Sequence, residues 1–309
     1  MSEQLLQADK LMQQARLSLA ATEKALNTAI RSLREHVLVD GRVSASKLDD
    51  FQLVSYDTAL SAAEAAGAWF VLDYAERVRE QEGDPTRPIT LEERCALLFT
   101  AEAIESIRAR LELRPQDYGL TRTILAKTLD SESLQAFCSE QLAVAQMAEL
   151  GKAVAEMDGR TGAYLLDDDH EMMRDTFRRF ANDVVMPLAE DIHREDLIIP
   201  DEILEGLTEL GCFGLSIPER FGGLQADDHE DNMGMIVVTE ELSRGSLGAA
   251  GSLMTRPEIL TRALLTGGTE EQKQKRLPRL AEAHTHVAGG VTEPQCGSDV
   301  AGNRWKATR

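Results

Sequence analysis

The stretch Val291-Thr292-Glu293-Pro294-Gln295-Cys296-Gly297-Ser298-Asp299 predicts a short strand that breaks into a tight turn at Pro294. Gly297 can take a positive φ, which most side chains avoid. The turn would offer backbone N–H groups and the Ser298 hydroxyl to an anionic or carbonyl-rich ligand. A Gly-Ser-Asp turn alone is weak evidence, because most such turns only connect strands. The nine residues together are a far more specific pattern.

Composition places the chain among helix-rich globular proteins. Its 309 residues predict about two domains, at roughly 150 residues each. Hydrophobic residues make up 43% and aromatic residues only 5%, with many Ala and Leu, which favours helix. The formal net charge of −20 argues against a nucleic-acid partner, whose phosphates need a basic surface, and against an anionic membrane surface.

The N-terminus and the cysteines indicate a cytoplasmic protein. Residues 1–4 have no basic region followed by an apolar run, so no signal peptide is expected, and no stretch approaches the roughly 18 apolar residues of a membrane span. Scattered cysteines without CxxC spacing favour reduced thiols over a disulfide or zinc framework. They are Cys95, Cys138, Cys212 and Cys296. We expect no metal site, because His284 and His286 have no further ligands nearby in sequence.

Residues 1–160 predict a bundle of four or five helices. Two long helices carry apolar residues at alternating spacings of three and four. The first face is Leu5, Ala8, Met12, Ala15, Leu19, Thr22, Leu26, Ala29 and Leu33; the second is Leu53, Tyr56, Leu60, Ala63, Gly67, Phe70, Tyr74 and Val78. A break at residues 83–88 precedes a capping box, Thr90-x-x-Glu93. A coiled-coil oligomerisation arm is the alternative, disfavoured because the helices break every 25 to 35 residues.

Residues 161–284 predict a second helical domain, and residues 285–309 predict the start of a sheet. Helices are expected from about Asp168, at 200–210, at 232–243, at 258–265 and at 269–283. Asp167, Asp168 and Asp169 place negative charge at the start of the first, Gly211 closes the second, and a capping box at Thr269 opens the last. The pattern changes to strand at residues 285–292 and again at 304–308.

From about Asp168 onward the chain resembles the acyl-CoA dehydrogenase family. Four segments precede the nine-residue string in the family's order: 209–215 (ELGCFGL), 217–223 (IPERFGG), 240–244 (EELSR) and 268–273 (GTEEQK). The resemblance implies a mainly α chain: an N-terminal helical bundle over 1–160, the family's N-terminal helical domain over 161–284, and the first strands of its middle β-domain over 285–309. It also implies a chain truncated within that β-domain.

The resemblance implies FAD as cofactor, an acyl-CoA substrate, an electron-transfer flavoprotein as partner, and a homo-oligomer when complete. Val291 and Thr292 would lie beside the flavin ring, and Gly297 and Ser298 near the FAD pyrophosphate or the arm of CoA. No catalytic residue is assigned, because the family's glutamate base is expected beyond Arg309. The fragment alone is therefore expected to hold FAD weakly and to be inactive.

The implied reaction is α,β-dehydrogenation of a short branched or dicarboxylic acyl-CoA. A helical extension of this size resembles that of family members which convert methylsuccinyl-CoA to mesaconyl-CoA. A distal carboxylate needs a cation, and Arg256 is the candidate, with Ser298 as a further substrate contact. The alternative for Arg256 is a surface ion pair with one of the many acids.

Two other functions remain open. A relative of the family could have turned to DNA protection, although the charge of −20 counts against it. The helical extension could also be the functional part, with an inert dehydrogenase remnant serving as scaffold.

Overall fold

The computed structural model describes residues 3–82, 88–157 and 159–306, and these are mostly helical. The mainly α fold class is confirmed. The chain divides into two compact units, Met1–Leu165 and Leu166–Arg309. Most of the break predicted at residues 83–88 lies outside the described residues. Within the described ranges, no helix is long and apolar enough to cross a bilayer.

The first unit is a helical bundle in which three long helices supply most of the core. Its helices are α1 (Glu3–Val37), α2 (Ala45–Asp50), α3 (Gln52–Glu82), α4 (Leu91–Leu113), α5 (Arg122–Lys127), α6 (Glu132–Gln141) and α7 (Val144–Glu156). After α1, Asp40 and Gly41 take positive φ and turn the chain between two short strands, β1 (Leu38–Val39) and β2 (Arg42–Val43). The stripe predicted for α1 is buried from Ala8 to Ala29.

The apolar face predicted for α3 is wrong except near its C-terminal end, where Val78 is buried as predicted. Leu53, Tyr56 and Phe70 are 67%, 66% and 74% exposed. The face that enters the core is rich in small residues: Val54, Thr58, Ser61, Ala65, Ala68, Leu72, Ala75 and Val78. Since α3 packs against both α1 and α4, small side chains let the helices approach closely. The hydrophobic pattern gave too much weight to the larger residues on the opposite side.

The capping box predicted at the start of α4 is confirmed. The N–H of Glu93 donates to Thr90 Oγ1 over 3.2 Å, and the N–H of Thr90 donates to the Glu93 carboxylate over 2.9 Å. The same carboxylate, with its side chain only 2% exposed, is paired with the guanidinium of Arg79 on α3. The buried carboxylate of Glu93 therefore caps the N-terminus of α4 and links α4 to α3.

Residues 161–163, which follow α7, are hydrogen-bonded to α3 and α4. The N–H of Ala163 donates to the buried carboxylate of Glu92 over 2.9 Å, and the Tyr74 hydroxyl donates to the Ala163 carbonyl over 2.6 Å. A Cβ at Gly162 would come within 2.4 Å of the Tyr74 hydroxyl oxygen. Glycine thus permits the segment to lie against α3 and α4.

We expect residues 1–166 to melt roughly 4 °C higher than residues 1–160, because the shorter chain leaves Glu92 without its backbone partner, a cost of about 1–3 kcal/mol. Thermal unfolding followed by circular dichroism measures the difference. Tyr74→Phe in the longer chain should lower the melting temperature by part of that amount. Equal melting temperatures for 1–160 and 1–166 would show that the segment does not stabilise the bundle.

The second unit is built from α8 (Asp168–Phe180), α9 (Met186–Arg194), α10 (Asp201–Glu209), α11 (Asn232–Ser246), α12 (Ser252–Gly267) and α13 (Glu270–Ala281). A turn of π-helix at Ala181–Val185 joins α8 to α9, and another at Leu247–Gly251 joins α11 to α12. Gly211 has φ +69° at the end of α10, as its predicted stop requires. The capping box at Thr269 is also confirmed.

The strands predicted at residues 285–292 and 304–308 are wrong for the part of the chain that is described; residues 307 and 308 lie outside it. Residues 285–306 contain one isolated bridge, between Glu293 and Cys296, and one short 3₁₀ turn, Val300–Gly302. Local sequence favours extended backbone here, but a strand forms only when a neighbour pairs with it. No described segment pairs with residues 285–292.

Candidate functional site

The Thr-Glu-Pro string folds as a turn closed by two backbone hydrogen bonds. The N–H of Glu293 donates to the Cys296 carbonyl over 2.8 Å, and the N–H of Cys296 donates back over 3.2 Å. The Glu293 carboxylate also accepts from the N–H of Arg304, over 3.0 Å, and Asn303 Nδ2 donates to the Val291 carbonyl over 3.1 Å. Glu293 therefore holds the turn to the segment that follows.

The four residues predicted to contact the cofactor lie on one exposed stretch around this turn. Val291, Thr292 and Ser298 are exposed, and Gly297 is half-buried. Gly297 does not take the positive φ that is open to glycine. Glycine is favoured for another reason: a Cβ there would come within 3.2 Å of Thr292 Cγ2. No hydrogen bond among the described residues uses the Thr292 hydroxyl, the Ser298 hydroxyl or the Ser298 N–H.

Arg256 lies elsewhere in the second unit, at the edge of a cavity of about 370 Å³. The cavity is walled mainly by apolar side chains, among them Ile199, Phe213, Leu253 and Pro257. Among the described residues Arg256 forms no ion pair; its one hydrogen bond is to Ser252 Oγ, over 3.5 Å. The surface ion pair that was the alternative for this residue is therefore not formed with any described acid.

A buried ion cluster, which the sequence patterns did not single out, joins α8 to α11. The Glu241 carboxylate accepts from Arg178 over 2.6 and 3.0 Å and from Arg244 over 2.9 Å. Burial acts to raise the pKa of Glu241, but these hydrogen bonds outweigh it and hold the pKa below its ordinary value. Arg244 also donates to Asn182 over 2.8 Å. These residues stabilise the helices.

His170 bridges two helix N-termini. Its Nδ1 lies 2.7 Å from Asp167, the N-cap of α8, and its Nε2 lies 3.0 Å from Asp231, the N-cap of α11. A carboxylate can only accept, so both ring nitrogens must carry protons. The hydrogen bond to Asp231 raises the pKa of His170, with Asp167 adding to the effect against partial burial. Sequence reasoning assigned Asp167 to the helix end but could not see the bridge.

The side chains of His284 and His286 contact different residues. His284 Nδ1 lies 3.1 Å from a Glu282 carboxylate oxygen, whereas the His286 ring meets the Phe213 ring edge-on at 5.7 Å between centroids. Within the described ranges, no three Asp, Glu, His or Cys side chains are grouped to hold a metal ion.

The helical part of the second unit matches a known family model. Residues 167–284 match the model of the acyl-CoA dehydrogenase N-terminal domain. The helices α8 to α13 are thus similar to the N-terminal domain of acyl-CoA dehydrogenases. The Glu241 cluster and Arg256 lie inside the matched segment. Val291, Thr292, Gly297 and Ser298 follow it, so their roles remain predictions.

Named relatives extend the similarity. The chain is 34% identical over 301 residues to (2S)-methylsuccinyl-CoA dehydrogenase of Cereibacter sphaeroides, covering 94% of this chain and 52% of that protein. It is 35% identical over 137 residues to glutaryl-CoA dehydrogenase of Desulfococcus multivorans, covering 44% of this chain and 34% of that one. A 3-(aryl)acrylate reductase of Clostridium sporogenes is 34% identical over 134 residues, covering 43% and 34%. The chain thus spans about half or less of each relative.

Proposed function

We propose that this protein serves the FAD-dependent α,β-dehydrogenation of an acyl-CoA thioester, specifically the conversion of methylsuccinyl-CoA to mesaconyl-CoA. One observation carries the proposal: similarity to methylsuccinyl-CoA dehydrogenase covers 94% of the chain, including the helical unit ahead of the family domain. The glutaryl-CoA dehydrogenase and the 3-(aryl)acrylate reductase each match less than half of the chain. Electrons would pass to an electron-transfer flavoprotein, and the complete protein would be a homo-oligomer.

The turn after the family domain fits a flavin. Thr292 and Ser298 offer two hydroxyls and an N–H that no described residue uses, and Gly297 keeps the backbone beside Thr292 open to close approach. Such groups suit the carbonyl oxygens of a flavin ring and the phosphate oxygens of FAD or CoA. Bound FAD would supply the acceptor for the hydride that leaves Cβ. The role of this chain's residues is to bind and orient.

Thr292→Ala and Ser298→Ala, made in the complete gene product, are each expected to weaken FAD binding by about threefold to tenfold, because each removes one hydrogen bond of roughly 0.5–1.5 kcal/mol. Flavin content after dialysis, read from visible absorbance, measures the effect. Ser252→Ala is the matched control, because the Ser252 hydroxyl already donates to the Gly248 carbonyl over 3.1 Å. Wild-type flavin retention in both turn variants would remove these residues from the cofactor site.

Arg256 supports the dicarboxylic substrate. A charged carboxylate enters an apolar cavity only when a cation or several donors meet it. Arg256 stands at such a cavity, and no described acid neutralises it. A guanidinium can bind both carboxylate oxygens at once.

Arg256→Met in the complete gene product is expected to raise KM for methylsuccinyl-CoA by about tenfold, equal to about 1.4 kcal/mol. The increase in KM is modest because the Arg256 side chain is exposed to solvent. A neutral acyl-CoA of similar size should be unaffected. Arg262→Met is the control, since Arg262 lies on the same helix but pairs with Glu230 and Glu258. Equal losses on charged and neutral substrates would make Arg256 structural.

A further inference from the structure

The cavity beside Arg256 holds a second group that can bind an anion. His286 lines the same cavity, and no Asp or Glu is among its lining residues. That is unusual for a chain with 53 acidic and 33 basic residues. A concave apolar site with a few converging polar groups is the usual form of a small-ligand pocket. Here the charged or chargeable groups are one guanidinium and one imidazole.

The structure holds the His286 ring at the cavity wall and leaves its nitrogens unused. Phe213 packs edge-on against the ring, with centroids 5.7 Å apart and planes at 69°. Neither ring nitrogen is hydrogen-bonded to another described residue. An imidazole donates at least one hydrogen bond whether it is neutral or protonated, so it can serve a carboxylate in either form.

Acidic side chains lie on the other side of His286. It also borders a shallow groove along α10, lined by Asp201, Glu205 and Glu209. Nearer in sequence, Glu282 pairs with His284. None of these four acids lines the cavity. His286, together with Leu204, therefore lines both an acidic groove and the apolar cavity that contains Arg256.

We propose that His286 is a specificity-determining residue, which donates a hydrogen bond to the same distal carboxylate that Arg256 binds. The apolar wall formed by Ile199, Leu253 and Pro257 takes the carbon skeleton. The ligand class is thus a short branched acyl chain ending in a carboxylate. This inference rests on the proposed function for the identity of the substrate, but the binding site itself can be tested without turnover.

The test is binding to the 309-residue chain, with methylsuccinate as probe and neutral methylsuccinamide as its isosteric control. Histidine ring resonances are followed by NMR, with the His286 signals identified by their loss in His286→Ala. We expect methylsuccinate, but not the diamide, to shift the His286 signals. His286→Ala should weaken binding by roughly threefold to tenfold, the value of one lost hydrogen bond. His286→Gln, which keeps a donor, should recover part of it, and His284→Ala should have no effect.

Unshifted His286 signals, or wild-type affinity in His286→Ala, would overturn the inference. Equal binding of diacid and diamide would do so too, because charge recognition would then be absent. The outcomes separate this inference from the proposed function. A complete protein that shows the binding pattern but does not dehydrogenate methylsuccinyl-CoA contradicts only the function. A dehydrogenase whose preference for dicarboxylic over neutral acyl-CoA survives His286→Ala contradicts only the role of His286.

Discussion

Gly223→Ala is expected to destabilise the second unit by about 3 kcal/mol, because the new methyl group would collide with backbone. A Cβ on Gly223 would lie 1.8 Å from the Ile217 carbonyl oxygen and 2.4 Å from its carbon. Backbone cannot swing aside as a flexible side chain can. That carbonyl also accepts the N–H of Gln225 over 3.0 Å. The loop must therefore open or lose this bond, and Ile217 is fully buried in a small core with Phe221.

Hydrogen exchange followed by mass spectrometry in increasing denaturant measures this effect, since it reports each unit separately. Amides of residues 217–225 and of α13 should exchange faster in the variant, while those of the first unit should not change. Gly248→Ala is the matched control, because a Cβ there meets nothing within 4 Å and its φ is not positive. Wild-type exchange in Gly223→Ala would mean that the loop has room that the structure does not show.

Arg79→Met is expected to lower the free energy of unfolding of the first unit by about 3 kcal/mol, at the low end of the range for removing one partner of a buried pair. The Glu93 carboxylate is almost fully buried, and among the described residues it would keep only the N–H of Thr90 as a hydrogen-bond partner. Methionine replaces most of the apolar stem of arginine, so the loss comes mainly from the carboxylate left underpaired.

This change in the free energy of unfolding is measured by denaturant unfolding of the first unit, followed by hydrogen exchange and mass spectrometry. Lys152→Met is the control: its pair with Glu156 spans 3.8 Å between exposed groups, and exposed pairs contribute about 0–1 kcal/mol. Adding Glu93→Gln to Arg79→Met should restore much of the stability, because glutamine keeps the capping acceptor without the charge. An Arg79→Met variant as stable as Lys152→Met would show that water reaches Glu93.

Features set by neighbouring residues could be predicted from the sequence. Both capping boxes, at Thr90 and Thr269, depend on side chains three positions apart, so the pattern contains all of the needed information. The stop at Gly211 depends on one residue that tolerates positive φ. The stripe of α1 was found because its large apolar residues do face the core.

Features that depend on partners far away in the sequence could not be predicted. The core face of α3 consists largely of alanine and hydroxyl residues, whose burial follows from close packing against two other helices and leaves a weak hydrophobic signal. Glu241 meets Arg178 across 63 positions and His170 meets Asp231 across 61. For the candidate site, the sequence identified Arg256 and the turn around Ser298, but not the cavity, since its walls come from loop 197–199, α12 and residues 285–287.

The His170 bridge makes the second unit a proton-linked structure. The pKa of His170 is raised, so the folded state retains a proton that an unfolded histidine loses near pH 6.5. Unfolding at neutral pH therefore releases protons. The bridge weakens as pH rises through the folded pKa. Asp231 acts in the opposite sense. Burial acts to raise the pKa of Asp231, but the N–H of Gly234 and the His170 ring outweigh it, so its contribution fades only as pH falls through that lowered pKa. The two helix starts are therefore joined most firmly in mildly acidic solution, between about pH 4 and pH 6.5.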